Sequence, residues 1–320
     1  MKAPGFWQTG GWPSALLSPL GRLYAAATAR RVAGRGRSLP VPVVCIGNLS
    51  AGGTGKTPVV MALAERLSDR RPAIVSRGYG GSLQGPVRVD PARHGAAEVG
   101  DEPLLLSAFA PVWVAKDRGA GAEAAAREGA GAILLDDGFQ SADPRRDIQI
   151  LVIDAEVGFG NGRVIPAGPL REPVEAGLAR ADIVALLGPA GARRVFLNRS
   201  PLDLPVLQAA LSPLDTGMDW RGTRVLAFAG IGRPEKFFAT LRALGADLAG
   251  TVALGDHQPL TRPLLERILR DAERLGAQPV CTEKDAVRLP PSLRGRIMVL
   301  PVRLSAEDWS PLDAALARLG

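Results

Sequence analysis

The chain has 320 residues, a formal charge of +7, 46% hydrophobic and 22% charged residues, which fits one large or two ordinary globular domains and excludes a disordered polypeptide. Two cysteines (Cys45 and Cys281, each in an apolar run) and two histidines (His94 and His257) exclude a disulfide framework and a His-rich metal site, and suit a reducing compartment. The positive balance favours an anionic partner, but aromatics at 5% and no basic stretch interleaved with them make nucleic acid the weakest choice beside phosphates or an acidic membrane face.

Residues 1–37 open the chain with Phe6, Trp7, Trp12, Leu16, Leu17, Leu20, Leu23 and Tyr24, then Arg22, Arg30, Arg31, Arg35 and Arg37. Leu16, Leu20, Leu23 and Ala27 fall at helical spacing, with Pro13 suited to a helix start and Pro19 predicting a break or restart. No run approaches the roughly 18–20 apolar residues that span a bilayer. A secretory signal fits poorly, because Pro13, Pro19 and Arg22 interrupt its apolar region. The residues alone leave two readings: a helix packed in the core, or one lying in a membrane interface with tryptophans at the headgroups and arginines on anionic lipid.

Short β-branched runs then alternate with Ala/Leu/Arg stretches of helical period. The runs are Val41–Ile46, Ala73–Ser76, Val112–Ala115, Ala132–Leu135, Ile148–Ile153 and Ile183–Leu187. This predicts an α/β domain around a parallel sheet over residues 38–190. A second set, Arg224–Ala229, Gly250–Leu254, Pro279–Thr282 and Ile297–Pro301, predicts a smaller α/β lobe over 223–320, with helices near Pro234–Leu244 and Pro263–Leu275. Residues 191–222, rich in Pro, Asp and Ser, read as a linker, and a cleft between the lobes is the natural place for a second substrate.

The most informative segment runs Val43-Val-Cys-Ile-Gly-Asn-Leu-Ser-Ala-Gly-Gly-Thr-Gly-Lys-Thr57 into a helical stretch. Strand, glycine-rich turn and helix are the context of a P-loop. Ser50, Ala51, Gly52, Gly53, Thr54 and Gly55 supply amides for phosphate oxygens, Lys56 reaches the β- and γ-phosphates of ATP, and Thr57 offers a hydroxyl to Mg²⁺. The strict pattern has glycine where this chain has Ser50. Ala132-Ile-Leu-Leu-Asp-Asp137 is an apolar strand ending in two acids, which in a parallel sheet lie beside the loop and serve the Mg²⁺ shell. Other P-loop classes fit less well. Partitioning ATPases carry a lysine where this chain has Ala51, and Thr282-Glu-Lys-Asp285 misses the guanine-reading pattern at Glu283. Small nucleotide kinases lack a long second lobe.

Taken together, the motifs resemble the tetraacyldisaccharide 4′-kinases of lipid A assembly. The likeness covers nearly the whole chain: Gly47-Asn48 and Gly52-Gly-Thr-Gly-Lys-Thr-Pro58, Ser76-Arg-Gly-Tyr-Gly80, Val99-Gly-Asp-Glu-Pro-Leu104, Asp136-Asp-Gly-Phe-Gln140, Gly168-Pro-Leu-Arg-Glu-Pro173, Gly230-Ile-Gly-Arg-Pro-Glu-Lys-Phe-Phe238, Asp256-His257 and Thr282-Glu-Lys-Asp285. The resemblance implies transfer of the ATP γ-phosphate to the 4′-hydroxyl of an acylated glucosamine disaccharide 1-phosphate. It also implies a peripheral place on the cytoplasmic face of the inner membrane, with no obligate protein partner, and turns the N-terminal helix towards interfacial docking. Asp101 becomes the base for the sugar hydroxyl and His257 its partner across the cleft. From the residues alone Asp101 is a turn acid and His257 a loop histidine. Glu102, Asp136 and Asp137 share metal and water positioning with Thr57. Gln140, Arg118, Arg171, Arg77 and Tyr79 become contacts to sugar or phosphate. Lys284 and Asp285 have the structural alternative of tying the second lobe's loop. The competing class is a nucleotide-driven switch, which needs no hydroxyl-activating base.

Overall fold

The computed structural model describes residues 4–256 and 258–319, so the expectation for His257 lies outside the described residues. Its strands are β1 (Val43–Gly47), β2 (Pro72–Ser76), β3 (Val87–Arg88), β4 (Val112–Val114), β5 (Ala132–Asp136), β6 (Ile148–Asp154), β7 (Ile183–Leu187), β8 (Val206–Pro213), β9 (Arg224–Ala229), β10 (Asp247–Ala253), β11 (Gln278–Thr282), β12 (Met298–Leu300) and β13 (Val302–Ala306). Nine form one sheet in the order β13-β8-β7-β6-β1-β5-β2-β4-β3, and four form a second in the order β10-β9-β11-β12. Every pairing is parallel except those of the edge strands β3 and β13.

The apolar runs fill both faces of the large sheet, as parallel strands covered by helices require. Val44 and Ile46 of β1 enter one core with Val59, Val60 and Leu63 of the helix Lys56–Arg66. Val43 and Cys45 point the other way, towards Ala122 and Ala125 of the helix Arg118–Arg127. Burial pushes the Cys45 thiol up to about 11, so it is an inert core side chain. Because the internal strands run the same way, Gly47, Ser76, Asp136 and Asp154 all finish at one edge of the sheet.

Two boundaries differ from the sequence-based expectation. Residues 191–222 are not a bare linker: the helix Ala190–Arg199 and β8 lie there, and β8 extends the large sheet beside β7. The smaller lobe stops before β13, which returns to pair with β8, and the helix Ser310–Leu316 puts Leu312, Ala315 and Leu316 into the large lobe's core. Arg66 seals this return, stacking 4.1 Å above the Trp309 ring and reaching Asp313 at 2.6 Å. Pro, Asp and Ser between the lobes concealed β8, which lies between β7 and β13 with one face partly exposed and so carries no continuous apolar run.

The N-terminal helix Trp12–Val32 runs through Pro19 without a break. Proline removes one donor to a carbonyl on an exposed turn, and the Ser18 hydroxyl donates to the Ser14 carbonyl at 2.8 Å in the same turn. Its small face, Ser14, Gly21 and Thr28, is the buried one. At Gly21 an added Cβ would stand 2.8 Å from the Val164 carbonyl oxygen, so only glycine allows this approach. The apolar face is exposed instead: Trp12 is 77%, Leu16 70%, Leu20 54% and Leu23 70% accessible, which removes the core-packing reading. No described helix is long and apolar enough to cross a membrane. Asn161 fastens the helix, its amide donating to the Phe6 carbonyl, the Ser14 hydroxyl and the Ala167 carbonyl at 2.9, 2.9 and 3.0 Å. Asn161→Ala is expected to cost about 1–3 kcal/mol of local stability. Limited proteolysis should then release the first thirty or so residues faster than in the parent protein, and an unchanged cleavage rate would contradict this anchoring role.

Candidate active site

The phosphate loop sits where β1 gives way to the helix Lys56–Arg66. Gly55 caps that helix at φ 86°, a left-handed conformation that favours glycine. The loop is braced from behind by the segment after Val164. Ser50 bridges Leu170, the Ala51 amide donates to the Pro169 carbonyl at 2.7 Å, and the Arg171 amide donates to the Leu49 carbonyl at 2.6 Å. Ser50 is buried in this bridge, so its departure from the strict glycine pattern has a packing role. Asn48 is fully buried: its amide donates to the Ser50 carbonyl at 2.8 Å and its oxygen accepts from Lys56 Nζ at 3.2 Å.

The β1–β5 register sets Asp136 directly opposite Ile46, two residues before Asn48. Asp136 is 3% exposed and accepts from the Ser76 hydroxyl at 2.9 Å. Burial, with the carboxylates of Glu102 and Asp137 nearby, pushes its pKa up to about 7. Asp137 follows at φ 54°, unusual for a residue other than glycine but tolerated by aspartate. Burial alone would raise Asp137, yet Lys56 Nζ at 3.4 Å and Arg171 at 3.0 Å hold it down at about 2. Arg118 donates to the Asp137 main-chain oxygen at 2.7 Å. Arg118 thus secures the strained acidic turn.

Asp101 and Glu102 open the short helix Asp101–Leu106, with Asp101 4% exposed, so the turn acid of the sequence reading is a buried helix-start residue. The second lobe reaches both. Lys284 pairs with Glu102 at 3.1 Å, and Arg288 Nε stands 3.9 Å from the Asp101 carboxylate. Burial opposes the charge on Lys284, but Glu102 and Asp101 override it and raise its pKa. Asp285 is the structural residue of its motif: fully buried, it accepts from the Gly230 amide and the Thr282 hydroxyl and pairs with Arg288. A second ionic contact crosses between the lobes, where Arg233 and Lys236 meet Asp154 and Glu156.

The remaining expected residues divide. Gln140 donates its amide to the Asn48 carbonyl at 2.8 Å and to Glu172 at 2.9 Å, and its oxygen accepts from Arg171, so it braces the loop. Arg77 and Tyr79 lie exposed just past β2, in a segment that packs against Gly100, the residue before Asp101. Glu172, 3% exposed and paired with Arg180 at 2.8 Å, and Asn48 are supporting residues without a role in the sequence reading, although both lie inside its matched strings.

The donor set suits a magnesium nucleotide. The buried Thr54 hydroxyl has no hydrogen-bond partner among the described residues, a free donor in a loop built to receive phosphate. Asp136, a buried hard oxygen ligand beside two other acids, is the kind of group a divalent cation stabilises. No set of three acidic, His or Cys side chains forms a metal cage among the described residues.

Comparison with known proteins agrees with this geometry. The LpxK, tetraacyldisaccharide-1-P 4'-kinase family matches residues 13–319. A tetraacyldisaccharide 4'-kinase of Dinoroseobacter shibae is 58% identical over 329 residues, covering 100% of this chain and 98% of the relative. One from a Jannaschia species is 57% identical, covering 100% and 99%. The crystal structure of the "apo" form of LpxK from Aquifex aeolicus in complex with ATP superimposes with a TM-score of 0.76 at 26% identity, over 96% of this chain and 99% of that one.

Asn48→Ala removes one bond inside the loop and one to the Lys56 ammonium. It is expected to weaken ATP binding roughly tenfold, since hydrogen bonds to charged groups contribute about 1.5–3 kcal/mol. Titration with a fluorescent ATP analogue checks this, and wild-type affinity would show that Lys56 is held without Asn48.

Proposed function

The chain belongs to the tetraacyldisaccharide-1-P 4'-kinase family, and we propose that it moves the γ-phosphate of ATP to the 4′-hydroxyl of an acylated glucosamine disaccharide 1-phosphate in lipid A assembly. One observation carries the reading at this site. A phosphate loop with its lysine, a buried acid opposite the loop's strand, and a second buried acid at Asp101 share one sheet edge that the smaller lobe covers.

In this scheme the amides of Gly52 to Gly55 and the Lys56 ammonium grip the β- and γ-phosphates, while the Ala51 amide, expected to join them, is spent on the Pro169 carbonyl. Thr57 and Asp136 would hold Mg²⁺, with Asp137 and Glu102 ordering its water; the ion supplies neutralisation of phosphate charge. Asp101 orients the sugar alcohol and accepts its proton as the oxygen bonds to phosphorus and the bond to ADP breaks. Arg171, already at the edge beside Asp137, is the guanidinium best placed to stabilise charge on the transferred group. Arg77 and Tyr79, exposed past β2, are candidates for the sugar. His257 is proposed as the partner of Asp101 on the strength of the motif Asp256-His257 alone.

The exposed row Trp12, Leu16, Leu20 and Leu23, flanked by the exposed Arg22, Arg30, Arg31 and Arg35, supports peripheral docking on an anionic membrane, which for this substrate is the cytoplasmic face of the inner membrane.

Incubation with ATP, Mg²⁺ and the acylated disaccharide 1-phosphate should give a product one phosphate heavier on its distal sugar. Slow ATP hydrolysis indifferent to the lipid would instead favour a nucleotide switch. Lys56→Ala should lose most turnover, and Asp101→Ala should lose roughly 10²–10⁴-fold in kcat with ATP affinity retained. Weak nucleotide binding by Asp101→Ala would contradict its role as base. Changing Leu16, Leu20 and Leu23 together to Glu should abolish co-sedimentation with anionic vesicles while leaving ATP binding intact; continued sedimentation would remove the docking face.

A further inference from the structure

Arg288 lies outside every motif that the sequence singles out, yet its side chain is only 8% exposed and it touches three separate segments of the smaller lobe. Nη1 donates to the Gln258 carbonyl at 2.8 Å, while Nη2 reaches the Gly230 carbonyl at 3.4 Å and pairs with Asp285. The guanidinium is therefore fixed from behind by the segments that follow β9, β10 and β11. Its remaining nitrogen, Nε, is buried without a hydrogen-bond partner among the described residues, and the nearest carboxylate across the lobe boundary is that of Asp101, at 3.9 Å. That separation is a charge contact, too long for a hydrogen bond, and a shift of about 1 Å would make it one.

A buried N–H left unmade is costly, so a preorganised donor held one short step from a buried acid is a spring towards that step. The two groups sit on different lobes, and Lys284 makes the parallel contact to Glu102 one residue along. We propose that Arg288 is a positioning residue for Asp101: when the smaller lobe seats on substrate, its Nε–H engages the Asp101 carboxylate and fixes the orientation in which that carboxylate receives the sugar proton. The inference rests on the reading of Asp101 as the base. It assigns Arg288 no contact with substrate or nucleotide.

Lysine at this place keeps a positive charge but lacks the fork that holds three segments while presenting Nε. The test is a double-mutant cycle on the full chain, with kcat and KM measured for Arg288→Ala and Arg288→Lys, each alone and combined with Asp101→Ala, using radiolabelled ATP for the slow variants. Arg288→Ala should lower kcat roughly 10–100-fold and leave the KM for ATP within about twofold, with Arg288→Lys recovering only part of the loss. In the Asp101→Ala background the same changes should cost less than about twofold, because the group they act through is gone. Losses that multiply would mark Arg288 as merely structural and overturn the proposal, as would wild-type kcat in Arg288→Ala. Removing Arg288 leaves Asp285 buried without its cation, so if the alanine variant does not fold, the Arg288→Lys cycle gives the same decision. Wild-type turnover in Asp101→Ala alone is a different failure, that of the base assignment itself.

Discussion

The site depends on the pairing of β1 with β5. Ile46 opposite Asp136 fixes, through backbone hydrogen bonds alone, how far the phosphate loop stands from the acidic strand end. A parallel ladder slipped by one residue would turn Asp136 to the other face of the sheet, and the loop would face an apolar side chain. The register is held by two cores at once, since Val44 and Ile46 pack on one face while Val43 and Cys45 pack on the other. Burial on both sides makes slippage costly, so the chemistry inherits the rigidity of the core.

Around this frame, the polar groups are arranged to be nearly satisfied. Asp137 is held charged by Lys56 and Arg171, with Arg118 at its carbonyl, whereas its neighbour Asp136 accepts from the Ser76 hydroxyl and has a pKa raised by burial. Two adjacent acids are thereby pushed apart in proton affinity by environment, a pattern common where one group braces and the other waits for a ligand. At the lobe boundary Lys284 pairs with Glu102, and Arg288 stands 3.9 Å from the Asp101 carboxylate. The smaller lobe therefore bears on the acids of the larger one through charged side chains, which suits a contact that must tighten and release.

Much of this was legible in the residues. The strand runs, the P-loop from Ser50 to Thr57, the acidic strand end and the helical spacing of Leu16, Leu20 and Leu23 each follow from local periodicity and turn chemistry, which depend on neighbours along the chain. What misled was also local. Pro19 suggested a break because a proline signals one, and residues 191–222 suggested a linker because β8, with one face partly exposed, carries no continuous apolar run.

The sequence by itself determined that this chain folds as an α/β protein around a phosphate loop, since strand, glycines, lysine and helix are contiguous. Only the tertiary structure decided which face of the N-terminal helix is left uncovered. It also decided that Gln140 and Arg118 brace the loop and its acids, that β13 and the last helix belong to the first lobe, and that Arg288 meets Asp101. The physical reason is sequence separation. Asp101 and Arg288 share no turn, helix or strand, and no propensity or spacing links residues brought together only when two separately formed sheets pack.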